Sequence, residues 1–345
     1  MRVLAISTSF SHHGTESGYK QILKYIKPVL TVGLDELLTS KPRRLLGTYQ
    51  FLYEFVAYFK NPKADILHIL YGENYFRFST WLFKIPIVVT FHQPAETLRF
   101  ELEKGAFAGR IAGYAHRLNR GRFRKVSAAI VTNSDQKKVL RDFIDEKKIF
   151  VIPLGIHLAE SNRLFKELRQ STDPTPESYV IVLGNWLRNW TLLSDVLEIM
   201  GTEKPDLNFI LVNKKLDETH REKLSKYSNL EIKKEVDREG LLKLLYFAKL
   251  HFMPLESAAG NNALIEGLSM GCPAIISLQG EDVVHINEAV VKYRKADARL
   301  LVREMLSDLV YQSEDKKRLA CNNYAQQFDW KEIANQTESV YNLVV

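Results

Sequence analysis

The stretch PLESAAGNNALIEGLSMGCPAIIS, Pro254 to Ser277, packs a strand end, a Gly/Asn loop, a short apolar helix and a second apolar strand into 24 residues. A strand that passes through a helix and returns as another strand is the crossover of a parallel sheet. Outward from this stretch the same rhythm recurs. Short β-branched runs, RVLAIS, ADILHIL, PIVVTFH, AAIVTNS and KIFVIPLG, alternate with longer amphipathic segments in the first half, and SYVIVLG, NFILVN, EIKKEV, LHFMPLE and CPAIIS do so in the second. This is the pattern of an α/β fold. At 345 residues the chain exceeds one ordinary core, so two domains are expected. The Pro/Ser/Thr-rich segment STDPTPES, Ser171 to Ser178, has the composition of a linker between them.

With 46% hydrophobic and 26% charged residues the chain falls in the ordinary globular class. No stretch reaches the apolar length of a transmembrane helix, and MRVLAIS runs straight into a strand pattern without the regions of a signal peptide. The two cysteines, Cys272 and Cys321, give no disulfide framework, so a reducing cytoplasm is the expected location. Charge is uneven: residues 1–165 hold 25 Lys/Arg against 14 Asp/Glu, a net +11, while residues 166–345 hold 23 against 27, a net −4. A basic first half is expected to meet an anionic surface, such as a membrane, a phosphorylated acceptor or nucleic acid, unless it is simply a solvated basic surface.

In the opening stretch, small residues lead through Gly260, Asn261 and Asn262 into the helix ALIEGLSM. The unpaired N–H groups and positive dipole end of such a helix form an anion site that a phosphate can approach. Glu266, about one turn in, can accept hydrogen bonds from adjacent hydroxyls such as those of a ribose. A plain crossover with a solvated Glu is the other reading of the same residues.

The segment resembles the donor-binding signature of the GT-B glycosyltransferases of family 4. That pattern is a Pro-terminated strand, a Glu, a Gly-containing loop, a second Glu eight residues after the first, then small residue, Gly, any residue, Pro. Glu266 matches the second Glu, and Gly271-Cys272-Pro273 the ending. ADILHILYG resembles the family's Asp-x-x-His strand, VVTFHQP its Thr-x-His strand, and AAIVTNSDQKKVL its strand before a helix opening on Ser. VIPLGIH resembles its Ile-Pro-x-Gly turn, DREGLLKLLYFAKLHFMPLE its helix-strand pair, and FDWKEIANQTESVYN its closing helix. Each is weak alone; in one order at family spacing they are strong.

There are departures. Ala258 stands where the first glutamate is expected, and Glu256, two residues earlier, is the nearest carboxylate to replace it near the donor sugar. Where the family has Gly-Arg followed by a Lys, this chain has Asn185 and Trp190, leaving Arg188 to neutralise a diphosphate. Asn213-Lys214-Lys215 replaces a Gly-x-Gly, and the two lysines are either phosphate contacts or surface cations.

In the N-terminal half, Gly14 and Gly18 flank a helix start with Ser17 as its N-cap. The spacing is not the dinucleotide fingerprint, so a nicotinamide enzyme is not expected. The resemblance implies that this loop faces the donor phosphates. His92 ends the strand IVVTF and can hydrogen-bond the donor sugar; His68 lies inside its strand and reads as core, and His12 and His13 are loop residues with weak claims on the acceptor. Lys41 to Lys60 is basic at its ends and aromatic between, a segment either buried or lying in a membrane interface. RLNRGRFRK, Arg117 to Lys125, adds five cations suited to anionic lipid or a phosphorylated acceptor. No nucleic-acid module accompanies them, and nucleic acid is not an expected partner.

The chain lacks Asp-x-Asp, His-Glu-x-x-His and paired-Cys spacings, so no metal is expected, and it has neither a Gly-x-Ser-x-Gly elbow nor a Walker loop. The resemblance implies an α/β GT-B fold of two Rossmann-like domains facing across a cleft. Residues 1–165, joined by 328–345 crossing back, would form the acceptor domain, and 166–327 the donor domain. It further implies a retaining, metal-independent transfer from a UDP- or GDP-type nucleotide sugar to a glycan, lipid-linked or small-molecule hydroxyl, in the cytoplasm or at the inner face of a membrane. His92 and Glu256 are the expected catalytic residues, and Glu266, Gly260, Asn261, Asn262, Arg188, Asn185, Gly14 and Gly18 the donor-binding ones. A catalytically silent subunit of a membrane-associated glycan assembly complex and a sugar-nucleotide epimerase are the competing readings.

Overall fold

The computed structural model describes residues 1–7, 18–33, 52–60, 63–104, 121–171, 178–184, 186–258, 260–277, 290–310 and 314–345. These fall into two compact units, one from Met1–Gly155 with Trp330–Val345, the other between Ile156 and Asp329.

Unit 1 holds a parallel sheet of β1 (Val3–Ile6), β2 (Leu30–Val32), β3 (Ile66–Ile69), β4 (Ile87–Phe91), β5 (Ala128–Val131) and β6 (Ile149–Val151), in the order β2-β1-β3-β4-β5-β6. The inner strands are apolar apart from His68 and Thr90 and are buried on both faces, as a helix-covered parallel sheet requires. Around it lie α1 (Leu52–Phe59), α2 (Ala95–Lys104) and α3 (Ser134–Leu140). Asn133 and Gln136 close a reciprocal capping box at the start of α3.

Unit 2 holds β7 (Tyr179–Leu183), β8 (Asn208–Val212), β9 (Leu230–Lys233), β10 (Leu250–Pro254), β11 (Ala274–Ser277) and β12 (Val291–Arg294), all parallel, in the order β12-β11-β10-β7-β8-β9. Its helices are α4 (Leu158–Gln170), α5 (Trp190–Glu203), α6 (Glu218–Leu224), α7 (Arg238–Phe247), α8 (Asn262–Ser269), α9 (Ala298–Val310) and α10 (Glu314–Ala325). Five of them open on an Asn or Asp side chain that accepts a first-turn N–H: Asn189, Asp217, Asp237, Asn261 and Asp297.

The units divide between Gly155 and Ile156, earlier than the 165/166 division expected from the linker composition. The cause is α4, whose Leu164 and Phe165 join the core of unit 2 with Tyr179, Leu242 and Leu245. The last helix, α11 (Trp330–Val344), belongs to unit 1, where Trp330, Ile333, Ala334, Val340 and Tyr341 enter the core. His68 is satisfied core as expected, with Nδ1 2.5 Å from the Tyr341 hydroxyl and Nε2 2.7 Å from Thr90 Oγ1. This pair of bonds fastens α11 to the sheet. Strands β2 and β12 have no counterpart in the expected runs; each is an edge strand.

Candidate active site

In an open parallel sheet the strand order reverses at one point, and the loops leaving the carboxyl ends there diverge to leave a ligand-sized crevice. In unit 2 that point lies between β7 and β10, so the loops after Leu183 and Pro254 border it. They are stitched together: Asn189 N–H donates to Pro254 O (2.9 Å), Glu256 N–H to Leu187 O (3.0 Å), and Arg188 bridges Leu255.

Arg188 is a buried strut in this loop and not an exposed cation. It is 8% exposed, and its Nε donates to Leu183 O (2.8 Å) and its Nη1 to Trp186 O (3.1 Å). Burial lowers its pKa to about 10. Gly184 lies beneath it with φ +91, where an added Cβ would stand 2.5 Å from Nη2; only a residue without a side chain fits both constraints. Leu187 is left-handed at φ 57, an uncommon state for a leucine, and the loop so held presents Trp186 63% exposed. Asn185 lies outside the described residues.

The second loop carries Glu256, exposed, and then Gly260 and Asn261 at the start of α8. Asn261 caps its own helix, its Oδ1 accepting from Leu264 N–H at 3.4 Å. Asn262 Oδ1 is buried with no partner, an acceptor that a ligand hydroxyl or N–H can satisfy. Glu266 is 20% exposed and its Oε1 lies 2.6 Å from Nη1 of Arg238, the first residue of α7. Sequence reading missed Arg238, because the contact spans 28 residues and no local pattern joins the two. Glu160 lies 3.5 Å from the same guanidinium. Lys214 spends its charge on Glu235 at 2.7 Å on the open surface, and Asn213 Oδ1 accepts from Lys215 N–H.

Helix α8 sits close on β10 because Gly267 faces His251. A Cβ there would stand 2.9 Å from the ring Nδ1. His251 is fully buried, neither ring nitrogen has a partner, and burial lowers its pKa to about 3, so the ring is neutral.

In unit 1 the order reverses between β1 and β3. Of the loop after β1, His12, His13, Gly14 and Ser17 lie outside the described residues. Gly18, at φ 92, is the N-cap of the helical turn that follows, in place of the expected Ser17; a glycine tolerates that backbone and a serine does not. His92 follows β4, its Nε2 donating to Leu70 O at 2.8 Å, and its ring packs against Tyr19 and Tyr71 at centroid distances of 4.5 and 4.8 Å. Its backbone N–H donates to Glu73 Oε1 at 3.1 Å. Glu73, a second residue that sequence reading missed, is buried with Oε2 unpartnered, and burial raises its pKa to about 8. Its one sequence signal is an acid placed directly after an apolar strand, in LYGENY.

These geometries can be set beside known proteins. Residues 12–160 match the model of Glycosyltransferase Family 4. Among solved structures, sucrose-phosphate synthase from Thermosynechococcus elongatus aligns at 16% identity over 99% of both chains, TM-score 0.67. A glycosyltransferase from Rickettsia africae aligns at 14% identity over 99% of this chain and 98% of its own, TM-score 0.66. Anabaena HepE in complex with UDP and glucose aligns at 12% over 99% of both, TM-score 0.64. No curated protein sequence matches significantly. The fold is therefore GT-B, and the family 4 resemblance read from the motifs is matched over the N-terminal part of the chain.

Proposed function

We propose that this chain is a glycosyltransferase that moves a sugar from a nucleoside diphosphate sugar to an acceptor hydroxyl. The observation that carries the reading is the border of the unit 2 switch point, where a hydrogen-bonded loop pair stands beside a helix start with an unpartnered Asn262 oxygen and, one turn on, an Arg238-anchored Glu266. The family match on residues 12–160 and the UDP-glucose complex of HepE support a nucleotide-sugar donor of the UDP type.

In this reading the first-turn N–H groups of α8 hold the diphosphate, and Glu266 accepts from the ribose hydroxyls with its orientation fixed by Arg238. Arg188 acts at close range by shaping the loop and adding positive potential as charge develops on the leaving phosphate. Glu256 contacts the sugar, His92 is a catalytic residue of unit 1, and unit 1 receives the acceptor, a glycan, lipid-linked or small-molecule hydroxyl at the cytoplasmic face of a membrane. Transfer proceeds without a metal and with retention, the departing phosphate oxygen taking the acceptor proton. No helix among the described residues is long and apolar enough to cross a membrane.

Calorimetric titration with UDP, GDP and ADP tests the proposal. UDP is expected to bind, and Glu266→Ala to weaken it by about tenfold to a hundredfold, the worth of charge-assisted hydrogen bonds at about 1.5–3 kcal/mol. Failure of all three nucleotides to bind, or indifference to Glu266→Ala, rejects it. Ala258, standing where the family has its first glutamate, favours a second reading as a catalytically silent subunit, which donor hydrolysis or transfer by the purified chain eliminates.

A further inference from the structure

We propose that a face of unit 1 built from Tyr58, Phe59 and Trp81 and rimmed by Lys60 and Lys84 docks on an anionic lipid bilayer. The inference deepens the membrane-side reading above, and its test is independent of nucleotide binding.

Helix α1 buries Tyr53, Glu54 and Ala57 and turns Tyr58 (44% exposed) and Phe59 (81%) outward. The short helix Ser79–Leu82 packed beside it turns Trp81 outward at 63%. Ring contacts knit the two elements: Tyr58 to Phe59 at 5.6 Å and to Phe83 at 5.7 Å, and Phe78 to Phe55 at 5.6 Å and to Trp81 at 5.9 Å. A single exposed aromatic needs no explanation, but a connected group of them marks a contact surface.

The face is rigid from beneath. The buried Glu54 carboxylate accepts the backbone N–H groups of Arg77 (2.9 Å), Phe78 (2.8 Å) and Ser79 (2.8 Å), locking the Ser79–Leu82 turn onto α1. Burying a carboxylate is costly, and here a fixed spacing between Phe59 and Trp81 is what it secures.

Charge selects the occupant. Residues 52–60 and 76–85 contain one acidic side chain, Glu54, which is buried, whereas Lys60 and Lys84 are exposed, as is Lys63 nearby in sequence. Arg122 Nη1 donates to Arg77 O at 3.4 Å, and Arg124 and Lys125, which follow it in the chain, are exposed. Tryptophan and tyrosine settle at the headgroup level of a bilayer while lysines reach its phosphates. A second copy would bring like charge onto like charge, so the surface fits an anionic bilayer better than itself.

The test is co-sedimentation of the full chain with vesicles of phosphatidylcholine alone or mixed with phosphatidylglycerol, at low and high salt. Binding is expected on the mixed vesicles, with a blue shift of tryptophan emission that Trp81→Phe reduces. Lys60→Gln and Lys84→Gln should each lower partitioning about fivefold, the equivalent of ~1 kcal/mol per lysine near such a surface. Phe59→Ser with Trp81→Ser should abolish binding at both salt concentrations while leaving the unfolding midpoint and UDP affinity unchanged. Equal binding to neutral vesicles, no binding, or full binding by the Phe59/Trp81 variant overturns the proposal. So does a wild-type dimer or an acidic-protein complex that the same variant dissolves in the absence of vesicle binding. Loss of the transferase reading with retained vesicle binding would leave the surface standing.

Discussion

The two units place a histidine on matching strands, β3 and β10, each the first strand across its sheet's switch point, and treat it in opposite ways. His68 has both ring nitrogens engaged, by Tyr341 and Thr90; His251 has neither. Both are fully buried and both have pKa values lowered to about 3 by desolvation. The same residue is thus a fastener in one sheet and an unsatisfied polar group behind helix α8 in the other. A buried polar group contributes to stability through its partners and costs free energy without them.

The sharpest way to break this comparison is to replace each ring with leucine. His68→Leu strands the Tyr341 and Thr90 hydroxyls and should destabilise the chain by about 2–4 kcal/mol, with α11 losing amide-exchange protection first. His251→Leu removes two orphaned nitrogens at similar volume and should be neutral or stabilising by about 1 kcal/mol in denaturant unfolding. Equal losses at both sites would show that His251 has a partner such as a buried water.

Acid and base limbs of the stability curve separate the same groups. A histidine depressed from 6.5 to about 3 contributes stability that is present above pH 6.5 and is lost as pH falls toward 3, because the unfolded chain takes up the proton first. Glu73, raised from 4.5 to about 8, has the opposite sign: its contribution is full below pH 4.5 and is lost as pH rises through 8. Unfolding midpoints across pH 4 to 9 should therefore flatten on the acid side in His251→Leu and on the alkaline side in Glu73→Gln.

The smallest effect concerns the helix that His251 supports. Gly267→Ala should cost about 1 kcal/mol, since a methyl group 2.9 Å from Nδ1 forces a local shift. In a His251→Ala background most of that cost should vanish, a coupling that a double-mutant cycle reads directly. Additivity would mean that the ring does not set the seat of α8.

Much of the fold was legible because inner strands of a parallel sheet must be apolar on both faces, and VLAI, ILHI, IVVTF, YVIVL and AIIS announce themselves. The missed strands, LTV and VKYR, lie at sheet edges, where one side needs no neighbour and the apolar signal fades. At the candidate site, Gly260 to Asn262 and Glu266 were singled out from local chemistry, as a loop of small residues before a helix start and an acid one turn on. Arg188 was readable as a cation but not as a buried one, since its burial depends on a left-handed glycine and the end of another strand. Glu73 and Arg238 act through groups that only the fold brings near them.

By itself the sequence determined the two-sheet α/β plan, the crossover at Pro254 to Ser277 and the resemblance to family 4, because periodicity, helix caps and turn residues are local properties of the chain. Tertiary structure alone decided which ionisable groups are buried, which are paired, and which aromatic side chains remain in water. Those outcomes follow from desolvation and from contacts between segments far apart in sequence, where no local pattern specifies the partner.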